Sequence, residues 1–216
     1  MSLELSGTTG VKGVAGSVSA PSIVGDDTNT GISFPAADTI KFSTGGVERM
    51  SITNSGVTGP VLGITEFDQW YLSADQTSNG DVTSNLSRNN FTANASPLGT
   101  GMTESSGVFT FPSTGKWVVL VQVTFNLAGN DNVVLYTMVT TNNSSYSIIN
   151  MIVDGQTGTS SENKHGGTMG LSFIDVTDTS QVKVKFEVGS ISTGSNLHGR
   201  SDRVVTGFNF IRIGDT

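Results

Sequence analysis

His165 and His198 are the two histidines of this 216-residue chain, and they are the natural places to look for a base near neutral pH. Each is flanked by glycine and polar residues, in Lys164-His165-Gly166 and Leu197-His198-Gly199, and reads as a solvated loop residue. A serine nucleophile would need a strained elbow, and the sequence carries no Gly-x-Ser-x-Gly. A glycosidase pair of carboxylates depends on a separation in space that spacing along the chain does not give. The acids Asp131, Asp154, Asp175, Asp178 and Asp202 fall in turn-forming stretches, where aspartate serves turn geometry. Gly25-Asp26-Asp27-Thr28-Asn29-Thr30-Gly31 offers oxygen ligands, but it has neither the spacing nor the closing glutamate of an EF-hand and reads as an Asx turn. Cysteine is absent, which removes disulfides, thiolate chemistry and cysteine metal sites together. The sequons at Asn85, Asn90, Asn94, Asn142 and Asn143 are what a chain rich in Asn, Ser and Thr makes by chance. The expectation is no catalysis, no cofactor and no metal.

The elements that would position these residues are strands. Charged residues make up 13% of the chain, about half the usual share, and 27 glycines accompany abundant Ser, Thr, Asn and Val. Such a composition disfavours helices and suits strands joined by turns, so the fold class is all-β. A net charge of −7 leaves no electrostatic footprint for nucleic acid. No apolar run of about 18 residues is present, which argues against membrane insertion. Met1-Ser2-Leu3-Glu4-Leu5 has no basic stretch followed by an apolar one, so no secretory signal is expected.

The chain reads as two parts, 1–60 and 61–216, with the boundary in Gly56-Val57-Thr58-Gly59-Pro60. In the first part glycine punctuates short alternating runs such as Ile40-Lys41-Phe42, each too small for a core of its own. Ile23, Ile32, Phe34, Ile40, Phe42, Met50 and Ile52 are more apolar than a linker needs. The expectation is an extended arm with short strands that orders by pairing with a neighbouring copy or a surface, through these seven residues.

From Ile64 onward the pattern is that of a compact β domain. In Trp117 to Phe125, alternate residues from Trp117 take one face while Val118 and Leu120 give the other face apolar weight. A strand apolar on both faces is sandwiched between its own core and a second layer or subunit. Val182 to Val188 alternates cleanly, with Lys183, Lys185 and Glu187 pointing out. Further runs are 69–74, 108–111, 133–140, 147–153, 169–174 and 205–213, separated by turn-rich stretches at 129–132, 154–156, 166–167 and 175–180. About eight strands in some 150 residues fits a two-sheet jelly roll. Trp70 and Tyr71 fall in its first strand, with at least one of them expected in the core.

Gly107-Val108-Phe109-Thr110-Phe111-Pro112-Ser113-Thr114-Gly115-Lys116-Trp117 resembles the Gly-x-Phe-x-x-Pro-x-x-Gly-x-Tyr hairpin of the complement-collagen and tumour-necrosis-factor jelly rolls, with Trp117 in the place of tyrosine. Thr206-Gly207-Phe208-Asn209-Phe210 is similar to the closing strand of that superfamily, with glycine and phenylalanine in a different order. This resemblance implies a jelly-roll β-sandwich that assembles as a homotrimer, with Trp117, Val118, Leu120, Phe125, Phe208 and Phe210 as candidates for core or trimer contact. Ser19-Ala20-Pro21-Ser22-Ile23, Asp26-Asp27-Thr28-Asn29-Thr30-Gly31-Ile32, Ala37-Asp38-Thr39-Ile40 and Gly45-Gly46-Val47-Glu48-Arg49-Met50 together resemble a module of tailed-phage fibre and virion proteins. What it implies is a non-enzymatic structural protein on the virion exterior, synthesised in the host cytoplasm, whose partners are itself and the major capsid protein or tail proteins. The absence of a long shaft favours a capsid decoration (cement) protein or a short head fibre. The alternative is a tail-fibre tip that binds a host-surface receptor or glycan.

Overall fold

The computed structural model describes residues 4–6, 10–12, 15–59, 63–91, 97–157, 164–192 and 194–216. Pro60, and Thr92 and Asn94 of two sequons, lie outside them. The described residues form strands and no helix, and the chain divides between Gly63 and Ile64 into two units.

The first unit opens with a hairpin of β1 (Glu4–Ser6) and β2 (Gly10–Lys12). Five strands follow: β3 (Ile23–Val24), β4 (Gly31–Ser33), β5 (Ile40–Thr44), β6 (Val47–Thr53) and β7 (Gly56–Thr58). They pair in sequence order as an antiparallel meander. The extended arm expected from the sequence is therefore folded back on itself, because the turns at Gly45-Gly46 and Asn54-Ser55 return the chain beside the strand it has just left.

The second unit contains β8 (Phe67–Leu72), β9 (Gly80–Asp81), β10 (Leu86–Arg88), β11 (Thr103–Ser105), β12 (Val108–Thr110) and β13 (Gly115–Leu127). It continues with β14 (Asp131–Thr140), β15 (Ser147–Gln156), β16 (Lys164–Val176), β17 (Lys183–Gly189), β18 (Asn196–Leu197) and β19 (Gly207–Gly214). One sheet runs β10-β8-β19-β13-β16 with β18 on β13; the other runs β11-β12-β17-β14-β15 with β9 on β17. Non-consecutive neighbours such as β8-β19-β13-β16 and β12-β17-β14 mark the crossovers of a jelly roll between two antiparallel sheets.

The core lies between the sheets. From β13 come Trp117, Val119, Val121, Val123 and Phe125; from β19, Phe208 and Phe210; from β17, Val184, Phe186 and Val188. Phe109 of β12 sits among Trp70, Phe186 and Phe210, with ring centroids 5.4, 5.8 and 5.0 Å away. Of the six candidates for core or trimer contact, Trp117, Phe125, Phe208 and Phe210 are thus core residues, leaving Val118 and Leu120 on the outward face. Tyr71 is buried and Trp70 packs partly buried against the core.

The resembled hairpin forms at Gly107, whose φ of +84° and whose place 2.3 Å (ideal Cβ to Val82 O) from a backbone carbonyl admit no side chain. Gly107→Ala is expected to cost about 1–3 kcal/mol, read as a lowered urea midpoint with an unchanged slope.

Two expected turns are strand instead. Asp154-Gly155-Gln156 closes β15, and Gly166-Gly167 lies inside β16, whose thirteen residues pair one for one with β13. Glycine occurs there because β15, the edge of the opposite sheet, comes close. A Cβ on Gly170 would fall 2.6 Å from the Ile152 side chain, and Asn150 Nδ2 donates to the Leu171 carbonyl at 2.8 Å.

Among the described residues one charged side chain is buried in the sandwich. Asp68 on β8 is 2% exposed and accepts from Arg88 Nη2 (3.0 Å), Trp70 Nε1 (2.8 Å) and the Met102 amide (2.8 Å). Arg88 also donates to the Met102 carbonyl and stacks over the Trp70 ring at 4.9 Å.

Candidate functional site

Strand register builds an apolar surface on the side of the β10-β8-β19-β13-β16 sheet turned away from the core. Val118 pairs with Phe173, Leu120 with Leu171 and Gln122 with Met169 across β13 and β16. On the other flank Val118 pairs with Ile211, which pairs with Phe67 of β8. Phe173, Met169 and Leu171 are 70%, 68% and 48% exposed. Three large apolar side chains in one row of one strand, continued by Val118 and Leu120, form the kind of surface that soluble monomers rarely leave bare.

Amides cross the middle of this face. Gln69 Nε2 donates to Asn209 Oδ1 at 2.6 Å, and Asn209 Nδ2 donates to the Leu120 carbonyl at 3.0 Å. They spend their polar atoms within the chain, so the face offers few unsatisfied groups to a partner.

Sequence reasoning placed Val118 and Leu120 outward but missed Met169, Leu171 and Phe173. The signal was present: Gly166, Thr168, Gly170 and Ser172 alternate with the apolar residues, and these small side chains face inward. Ordinary reading sends the apolar half of an alternating strand to the core; here the crowding by β15 reverses it.

At one end of the same face the two histidines meet. His165 pairs with Asn126 from β16, and His198 follows β18 on the other flank of β13, donating its amide to the Thr124 carbonyl. Their rings lie 5.4 Å apart. This corrects the expectation of two solvated loop residues, since His165 is a strand residue and only 15% of the His198 side chain is exposed. His198 Nδ1 lies 2.8 Å from Asp75 Oδ1 and 3.1 Å from Asn126 Nδ2. It cannot serve both, and the charge-assisted bond to the carboxylate places the proton on Nδ1. Two hydroxyls nearby are hydrogen-bonded to carbonyls: Ser73 Oγ donates to the Asn85 carbonyl at 3.0 Å, and Thr206 Oγ1 to the His198 carbonyl at 2.7 Å. Among the described residues no cluster of three or more His, Cys, Asp or Glu could hold a metal ion.

An open cleft of about 620 Å³ adjoins, lined by Asp75, His198, Arg200 and Asp202. Hydrogen bonds from Arg200 and then Arg203 hold the Asp202 carboxyl far below its ordinary value. Of the other acids expected in turns, Asp131 begins β14, while Asp154 and Asp175 lie within β15 and β16, Asp175 ion-paired to Lys116. In the first unit Asp27 accepts from the Asn29 amide (3.1 Å) and Thr30 Oγ1 (2.7 Å), an Asx turn that uses the oxygens a cation would need.

Of the seven arm residues, Ile23, Ile32, Phe42 and Met50 pair in one row across β3 to β6, and Ile40 pairs with Ile52 beside them. Phe34 lies beyond β4, exposed.

No protein-family model matches the chain, and no curated protein matches it. Among solved structures it is similar to the Eiger TNF of S. frugiperda, at 14% identity over 69% of this chain and 93% of that one, with a TM-score of 0.50. It is similar also to murine APRIL, at 8% identity over 68% of this chain and 98% of that one, with a TM-score of 0.51. The second unit is a TNF-type jelly roll. At such identities the likeness is one of fold, and it says nothing of the outward face of the TNF-type sheet.

Proposed function

We propose that the protein is a non-enzymatic structural protein that works as a homotrimer, closed through the outward face of the TNF-type sheet. The observation that carries this is the exposed row of Met169, Leu171 and Phe173 continued by Val118 and Leu120. A ring of three copies gives that face a second layer and then stops growing, because the rotation closes.

The place of action proposed is the exterior of a tailed-phage virion, as a capsid decoration protein or a short head fibre held through the first unit. This rests on the four sequence blocks between Ser19 and Met50, the first leading into β3 and the others falling on and between β4, β5 and β6. A tail-fibre tip is the second reading, favoured by the open polar cleft at Asp75, His198, Arg200 and Asp202, whose hydrogen-bonding groups suit a glycan. The test is copy number in purified virions, measured by mass spectrometry against the major capsid protein. A number comparable with the capsid protein supports decoration, and a small multiple of three supports a fibre. Absence from virions overturns the placement.

A further inference from the structure

The meander of the first unit has two unlike faces. Pairing aligns Ile23, Ile32, Phe42 and Met50 in one row and Ile40, Ile52 and Val57 in the next. Ile40 and Phe42, like Met50 and Ile52, are two apart on their strands, so all seven share one face. The opposite face carries Ser33, Lys41, Ser43, Glu48 and Ser51, with Lys41 Nζ 2.6 Å from Glu48 Oε2. Ile23 and Val57, at the two ends of the apolar rows, are 55% and 51% exposed. A sheet with one apolar face must bury it against another element.

We infer that the missing layer is the same face of two further copies, so that three meanders form a three-sided prism with their apolar rows inside. This rests on the homotrimer reading of the second unit. Two observations select a copy over a foreign partner. First, no charged residue pairs into either apolar row, and Arg49, the cation beyond their end, is bonded to Thr44 Oγ1 of its own chain at 2.8 Å, so the rows meet without like-charge contact and carry no charge pattern by which a different protein would be chosen. Second, eight residues separate β7 from β8. Closing three jelly rolls therefore holds three meanders at an effective concentration in the millimolar range. Of the two partners the sequence allows these residues, a neighbouring copy or a surface, this selects the copy. Ile23, Ile32, Ile40, Phe42, Met50 and Ile52 bind the chain to itself, and attachment to other virion proteins falls to the loops, where Phe34 stands exposed, because Ser33, Ser43 and Ser51 of the opposite face are buried.

Because the chain has no cysteine, single cysteines report proximity cleanly. Full-length Ile40→Cys, Phe42→Cys and Met50→Cys are treated with a short bismaleimide and run on denaturing gels, with Lys41→Cys on the opposite face as control. Ile23→Cys, at an exposed position, serves if a central cysteine impairs folding. The expected result is covalent dimer at the apolar positions and monomer at Lys41. Native mass spectrometry on the same samples separates the two ways of failing. Trimers without cross-links at any apolar position overturn the prism alone, and monomers overturn the prism together with the trimer on which it rests.

Discussion

Replacing Leu171 and Phe173 together by aspartate is expected to convert the trimer to monomers while the jelly roll stays folded. Both side chains leave β16 on the outward face, whereas their neighbours Ser172 and Ile174 face the core, so the substitution removes no core contact. In a closed trimer each position occurs three times, and truncating a hot-spot residue near the centre of an interface costs about 2 kcal/mol or more. Aspartate adds the cost of desolvating a charge that has no partner there: the amides of Gln69 and Asn209 are already bonded to each other and to the Leu120 carbonyl. Light scattering reads the mass, and near-ultraviolet circular dichroism reads the packing of Trp117 and its neighbours. Monomers with an unchanged spectrum are the expected outcome; a variant that remains trimeric would show that the assembly closes through another surface.

The second large effect concerns stability. Arg88→Ala leaves the Asp68 carboxylate buried with its Trp70 and Met102 donors but without its counter-charge. Removing one partner of a fully buried ion pair costs about 3–5 kcal/mol; with 37% of the Arg88 side chain exposed the expected loss is at or below the low end, about 2–3 kcal/mol, still a large share of the stability of an ordinary domain. The Met102 carbonyl loses its donor as well, and Trp70 loses the guanidinium over its ring. Because the penalty belongs to the uncompensated charge, Asp68→Asn added to Arg88→Met is expected to recover much of it. Chemical denaturation of the wild type, Arg88→Ala and the double variant checks both statements. A midpoint for Arg88→Ala within error of the wild type would mean that water reaches Asp68.

Much of the jelly roll is legible in the sequence, for physical reasons that particular strands make plain. β17 alternates cleanly because it has one face on the core, β13 adds Val118 and Leu120 to an alternation that still marks its core face, and the glycine, proline and aromatic spacing of the 107–117 hairpin marks a turn that few other residues could make. What is not legible depends on contacts distant in the chain. Gly166-Gly167 has the composition of a turn, and only the approach of Ile152 and Asp154 from the other sheet makes a strand rich in glycine the better fit. The same approach reverses the facing of Met169, Leu171 and Phe173, so the central residues of the candidate surface carry the pattern of core residues. His165 and His198, 33 positions apart, meet because β16 and β18 pair on opposite flanks of Asn126, a register that local sequence does not announce. The meander was concealed in another way: each of its strands is too short to signal alone, and its one-sided apolar row exists only once the pairing is known.

The tight seam between β15 and β16 has a consequence for what this protein avoids. These strands end the two sheets, and an end strand with free amides and carbonyls is a template on which an extended peptide or a misfolded copy can add. Here the Asn150 side chain takes the Leu171 carbonyl, and the Ile152 side chain lies where a Cβ on Gly170 would stand. On that flank the sandwich is zipped nearly like a barrel. A molecule with so much apolar surface on one face is thereby steered toward association by faces, which terminates at a fixed number of copies, and away from edge-on stacking, which leads without limit to fibrils.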